Sequence, residues 1–140
     1  MVHALDEIRR ALVPDGILID LRPVSDRWHV EVFSARETRE TGHVTDLPLG
    51  LEDDNAANQA MTNAGTNGWF SRESEGFFSI HYVWDTPSEM EKWVEEEWED
   101  FIGLDEETRR ATRSAWAVGD GDCRIRVQMK MLITRWKAIK

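Results

Sequence analysis

Residues 3–23 read His-Ala-Leu-Asp-Glu-Ile-Arg-Arg-Ala-Leu-Val-Pro-Asp-Gly-Ile-Leu-Ile-Asp-Leu-Arg-Pro. Ala4, Leu5, Ile8, Ala11 and Leu12 recur at helical spacing, with Asp6, Glu7, Arg9 and Arg10 mostly opposite. That pattern predicts an amphipathic helix from His3 to Leu12. Pro14-Asp15-Gly16 stops the helix and turns the chain. Ile17-Leu-Ile-Asp-Leu21 is short, branched and nearly all apolar, which suits a strand covered on both faces.

The same reasoning extends along the chain. Trp28-His-Val-Glu-Val-Phe33 alternates and reads as a second strand. Two partners stand open for it: the first strand, or the polar run Glu37–Thr45. Ala56, Ala57, Ala60, Met61 and Ala64 place a helix over Leu51–Ala64, ended by Gly65-Thr-Asn-Gly68. Gly76–Trp84 is rich in aromatic and branched residues and reads as a strand. Thr86-Pro87-Ser88-Glu89 is a capping box with proline at the first helical position. The helix it opens runs to about Phe101, with Met90, Trp93, Val94, Glu97, Trp98 and Phe101 along one stripe. A further helix runs from Asp105 to Val118, with Ala111, Ala115 and Val118 inward. After the turn Gly119–Asp122, the run Cys123–Trp136 alternates. Cys123, Ile125, Val127, Met129, Met131 and Ile133 share one face. The other face is polar and becomes apolar at Leu132 and Trp136.

Composition narrows the class. A chain of 140 residues, 41% hydrophobic, is long enough for one domain with a single core. No apolar run approaches the roughly 20 residues of a membrane span. The first residues are an amphipathic helix with acids and not a signal peptide. The lone Cys123 has no internal partner, so a reducing cytoplasm is expected. The net charge is −10. Asp85–Glu107 holds eleven acids and one base, so this acidic segment carries the whole excess. Nucleic acid and anionic membrane are therefore poor partners, because both need a basic face.

The pattern of helix, Leu12-Val13-Pro14-Asp15-Gly16 and strand resembles the second half of class I S-adenosylmethionine-dependent methyltransferases. There, a helix ending in a Leu-Lys-Pro-Gly-Gly type turn leads into the fifth strand. Gly76–Trp84 resembles the sixth strand, Thr86–Phe101 a helix after it, and Cys123–Lys137 the closing seventh. The resemblance implies a strand order of fifth, seventh, sixth, with the seventh antiparallel. It implies a truncated Rossmann-like domain over residues 1–140. The family's glycine-rich cofactor loop is missing here. Gly119-Asp-Gly121 stands before a strand, not between a strand and a helix, and fails the required context. No cofactor is expected, with S-adenosylmethionine bound only if a partner chain supplies the first half.

Candidate sites follow from residue type. Arg22 and Asp26 follow the first strand, where the resembled family places substrate-contacting loops, and mark a pocket rim. His29 and His81 lie in strands beside aromatic residues, and Trp84 ends an aromatic strand. Both histidines read first as side chains with satisfied hydrogen bonds. Seven tryptophans suggest packing, or an aromatic-walled pocket for an apolar or cationic ligand. The acidic run Glu95–Asp100 reads as a solvated helix face, or as a patch for a cation or a basic partner. The scattered histidines lack zinc spacing, Cys123 lacks a neighbouring base, and no serine elbow occurs.

The fold expected is α/β, a small mixed sheet with flanking helices. The function expected is a non-catalytic, methyltransferase-derived, homodimeric module that binds a ligand or a protein partner. Its strand Ile17–Leu21 needs cover, either from the strand at Trp28–Phe33 or from a second chain. The alternative is the C-terminal half of a split methyltransferase completed by another chain.

Overall fold

A computed structural model describes residues 2–140; Met1, the first residue of the expected domain, lies outside them. The elements in chain order are α1 (Val2–Ala11), β1 (Ile17–Pro23), β2 (His29–Phe33), β3 (Thr38–His43), β4 (Thr45–Asp46) and α2 (Pro48–Thr66). They continue with β5 (Phe70–Trp84), α3 (Pro87–Glu97), β6 (Ile102–Gly103), α4 (Glu106–Val118) and β7 (Arg124–Ala138). The fold is mixed α/β, with antiparallel strand pairs and flanking helices. Two compact units divide the chain. Unit 1 comprises residues 1–24, 52–78 and 131–140; unit 2 comprises 25–51 and 79–130. The long strands β5 and β7 contribute to both.

In unit 1, β1 pairs antiparallel with β7, Ile17 opposite Lys137 and Leu21 opposite Ile133. Asp15 supplies the left-handed residue of the turn before it, at φ 64°. Gly16 follows, where an added Cβ would lie 2.8 Å from the Val13 carbonyl oxygen. Leu5 of α1, Ala60, Met61 and Ala64 of α2, Phe70, Trp136 and Ala138 form the core, with Leu12, Leu18 and Trp69 packed against it. The alanines let α2 approach closely, as their spacing implies.

β1 departs from its expected burial. Its even-numbered side chains are half-buried, but Ile17, Ile19 and Leu21 are 38%, 49% and 53% exposed. The strand is covered on one face and not on both. Ile133, opposite Leu21, is exposed with them, and Arg135 and Lys137 flank Ile19 and Ile17. Arg135 pairs with Glu73 at 3.0 Å and Lys137 with Asp15 at 3.4 Å. β1 also ends the strand order, with β7 its paired neighbour.

In unit 2, β2 pairs antiparallel with both β3 and β7. Of its two open partners, the run after Ser34 is realised and the first strand is not. A bulge places Thr41 as the extra residue in β3. Its hydroxyl donates to the Val30 carbonyl at 3.2 Å. Gly42 follows at φ +154°, where a Cβ would lie 2.4 Å from Thr108 Oγ1. That close approach seats α4 on β2 and β3. Thr108, Thr112 and Ala115 are its buried residues, and Val118 is exposed instead of inward. The two-residue strands β4 and β6 pair antiparallel.

β7 changes the parity of its buried residues. Ile125, Val127 and Met129 are buried in unit 2, then Leu132, Thr134, Trp136 and Ala138 in unit 1. The basic residues of the strand are neutralised by side chains of other segments. Arg126 donates twice to Glu31, at 2.6 and 2.8 Å, and Gln128 donates to the other carboxylate oxygen at 2.6 Å. Glu31, only 9% exposed, is thereby compensated.

Candidate functional site

Unit 2 gathers aromatic side chains between the end of β5 and α3. Tyr82 and Trp84 share one face of β5 by their two-residue spacing. Thr86 caps α3, its hydroxyl accepting from the Glu89 amide at 3.2 Å, and Pro87 occupies the first turn. Glu89 accepts in return from the Asp85 amide, at 3.1 Å. The cap fixes where the helix begins, and so where Trp93 projects. The helix closes at Glu97, earlier than Phe101, and Trp98 is its C-cap.

Tyr82, Trp84, Trp93 and Trp98 are mutually in contact. All six ring pairs lie with centroids between 5.1 and 6.5 Å. Trp98 meets the other three edge to face, at 82° to 89°. Behind them Trp28 is buried and meets Trp98 edge to face at 5.6 Å. Such pairs add about 0.5–1.5 kcal/mol each beyond area burial. The cluster nevertheless reaches the surface: Trp93 is 37% exposed and Tyr82, Trp84 and Trp98 are half-buried. The Tyr82 hydroxyl and the indole N–H groups of Trp84, Trp93 and Trp98 make no hydrogen bond to the described residues.

Several acids of the segment Asp85–Glu107 have structural partners. Glu91 accepts from Arg113 through both carboxylate oxygens, at 2.9 and 2.5 Å, which pushes the guanidinium pKa up. Asp105 caps α4, and the Thr108 amide it accepts from holds its carboxyl below the usual carboxylate range. Asp85 pairs with Arg124 and Glu95 with Arg109. Glu96, Glu97, Glu99 and Asp100 make no hydrogen bond or ion pair with the described residues. Glu96 and Glu97 stand three and four residues from Trp93, on its side of the helix.

The residues singled out in the sequence are not brought into one site. Arg22 belongs to unit 1, where Nε donates to Asp20 and Nη2 to Asn58 at 2.6 Å. Its Nη1 is buried without a hydrogen-bond partner. Asp26 pairs with Lys130, and His29 Nδ1 lies 2.7 Å from Glu40. His81 is exposed, on the face of β5 opposite Tyr82 and Trp84. Trp84 alone joins the aromatic cluster. Trp93 and Trp98 belong to the seven tryptophans that suggested packing or an aromatic-walled pocket; Tyr82 was not singled out, although its i, i+2 spacing from Trp84 was a readable signal.

No family model, curated protein or solved structure matches this chain. Among the described residues, no group of three His, Cys, Asp or Glu side chains is arranged to hold a metal ion. No helix there is long and apolar enough to cross a membrane. A shallow groove of about 530 Å³ lies over Asp85, Trp116, Asp120, Asp122, Cys123 and Arg124. Its indole N–H is already bonded to the carbonyls of Asp85 and Cys123. The aromatic surface, with free donors and unpaired acids beside it, is the stronger binding candidate.

Proposed function

We propose that this chain is a non-catalytic binding module that works as a homodimer, joined through the bare face and free edge of β1. The observation that carries this reading is the exposure of Ile17, Ile19, Leu21 and Ile133 on one sheet face. Contiguous apolar surface of this kind marks an interaction site. β2 pairs with β3 and β7 and not with β1, which leaves the edge to a second chain. A second copy fits because an edge strand pairs antiparallel with itself about a two-fold axis, and any such interface is self-complementary. The rim carries Asp15 and Glu73 beside Arg135 and Lys137, so both charge signs face a like copy.

A methyltransferase origin, and with it the split-enzyme alternative, draws support from one feature. β7 pairs with both β1 and β5, the partners that the fifth, seventh and sixth strands would have. The sheet also contains β2 and β3, for which that resemblance offers no counterpart.

The test is sedimentation equilibrium at micromolar concentration. The wild-type chain is expected as a dimer, and Ile19→Lys as a monomer with an unchanged far-UV spectrum. A wild-type monomer, or a dimer indifferent to the substitution, refutes the reading.

A further inference from the structure

We infer that the aromatic surface of unit 2 is a docking site for an arginine-rich segment of a partner protein. Three observations choose that occupant. The first is the rings themselves. Tyr82, Trp84, Trp93 and Trp98 form one contiguous set of rings that reaches the surface. Within this chain, Arg9 lies over Trp69 at 5.8 Å and Arg126 over Phe33 at 4.5 Å. No cation of the described residues lies over any of the four rings.

The second is charge. Glu96 and Glu97 follow Trp93 by one helical turn, Glu99 and Asp100 follow Trp98 in the chain, and none of the four pairs with a cation of the described residues. Asp85, Glu89, Glu91, Glu95 and Asp105 of the same segment are spent on Arg124, Arg113, Arg109 and two helix caps. An aromatic face lying beside unpaired carboxylates attracts a cation by ring quadrupole and by Coulomb force together.

The third is shape. The rings touch one another at 5.1–6.5 Å and leave no space among them for a caged ammonium group. A cation must therefore lie flat on the outer faces. Guanidinium stacks on ring faces more often than ammonium, and its planar fork directs several N–H groups to carboxylates at the same time. The acids are also spread along the end of α3 and past it, which matches several side chains of an extended segment better than one small ligand.

The test uses a labelled nona-arginine peptide as the probe, followed by anisotropy. Wild-type protein is expected to bind it more tightly than nona-lysine. Trp93→Ala, and separately the pair Glu96→Gln and Glu97→Gln, should each weaken binding about tenfold. Trp93→Phe, which keeps a ring, should restore most of it. The pair Glu52→Gln and Asp53→Asn removes the same charge from unit 1 and should leave affinity within about twofold. If Trp93→Ala unfolds the chain, Trp93→Phe and the glutamate pair decide the matter. Equal losses from the two double variants would reduce the effect to net charge and overturn the proposal. So would displacement of the peptide by tetramethylammonium at equal concentration, which would make the surface a small-cation site.

Discussion

Gly42 shows how one residue positions a helix. It sits beside the Thr41 bulge at φ +154°, with Thr108 of α4 occupying the space a Cβ would need. Gly42→Ala therefore meets both a backbone strain and a clash, and should cost about 1–3 kcal/mol in thermal or urea unfolding. Gly68 is the control: its φ is +72° but nothing lies within 4 Å of its Cβ position. Gly68→Ala should cost about 1 kcal/mol, for backbone conformation alone. Equal costs at the two sites would show that the Thr108 contact does not hold α4 against the sheet.

At the scale of the element, α4 depends on its cap. Asp105 accepts from the Thr108 amide at 2.7 Å, which lowers its pKa in the folded chain, with a smaller pull from His43. A carboxyl depressed on folding stabilises above its unfolded pKa, about 3.9, and the contribution is lost as pH falls through the folded value. Asp105→Asn keeps a capping side chain that does not titrate. Wild type should melt above Asp105→Asn near neutral pH, and the gap should close as the pH is taken below that of the carboxyl. A gap constant with pH would remove the cap from the account.

Elements with such local chemistry were the readable ones. The Thr86-Pro87 start of α3, the start of α4 at Asp105 and the Pro14-Asp15-Gly16 stop all appear where the sequence places them. β5 begins six residues before Gly76; Ser71–Glu75 is exposed and shows no alternation, so nothing in the sequence marks it as strand. β1 was read as doubly covered because a run of isoleucine and leucine looks alike whether its second face meets a helix or nothing. The rings of the candidate site were legible as types, in the tryptophan count and in the alternation of Tyr82 with Trp84, but not as one cluster. Trp93 and Trp98 join Tyr82 and Trp84 through the packing of α3 against the end of β5, which no spacing along the chain encodes.

At the scale of the whole molecule, charge separates the two units. Unit 1 holds nine acids against seven bases, and unit 2 eighteen against ten. The dimer face proposed on unit 1 is mainly apolar, whereas the peptide site proposed on unit 2 sets carboxylates beside its rings. Raising salt from low to high concentration should leave the dimer constant nearly unchanged and weaken nona-arginine binding steeply. Parallel salt dependence would mean that both events draw on one electrostatic source. The pairing of β1 with β7 carries a further consequence, for synthesis. Residues 17–23 find their ladder partners at 131–137, and Asp15 and Gly16 exchange backbone hydrogen bonds with Ala138. On the ribosome the apolar strand Ile17–Leu21 emerges more than a hundred residues before its partner Ile133–Lys137. A strand so long without its mate is a natural client for a chaperone that holds nascent chains.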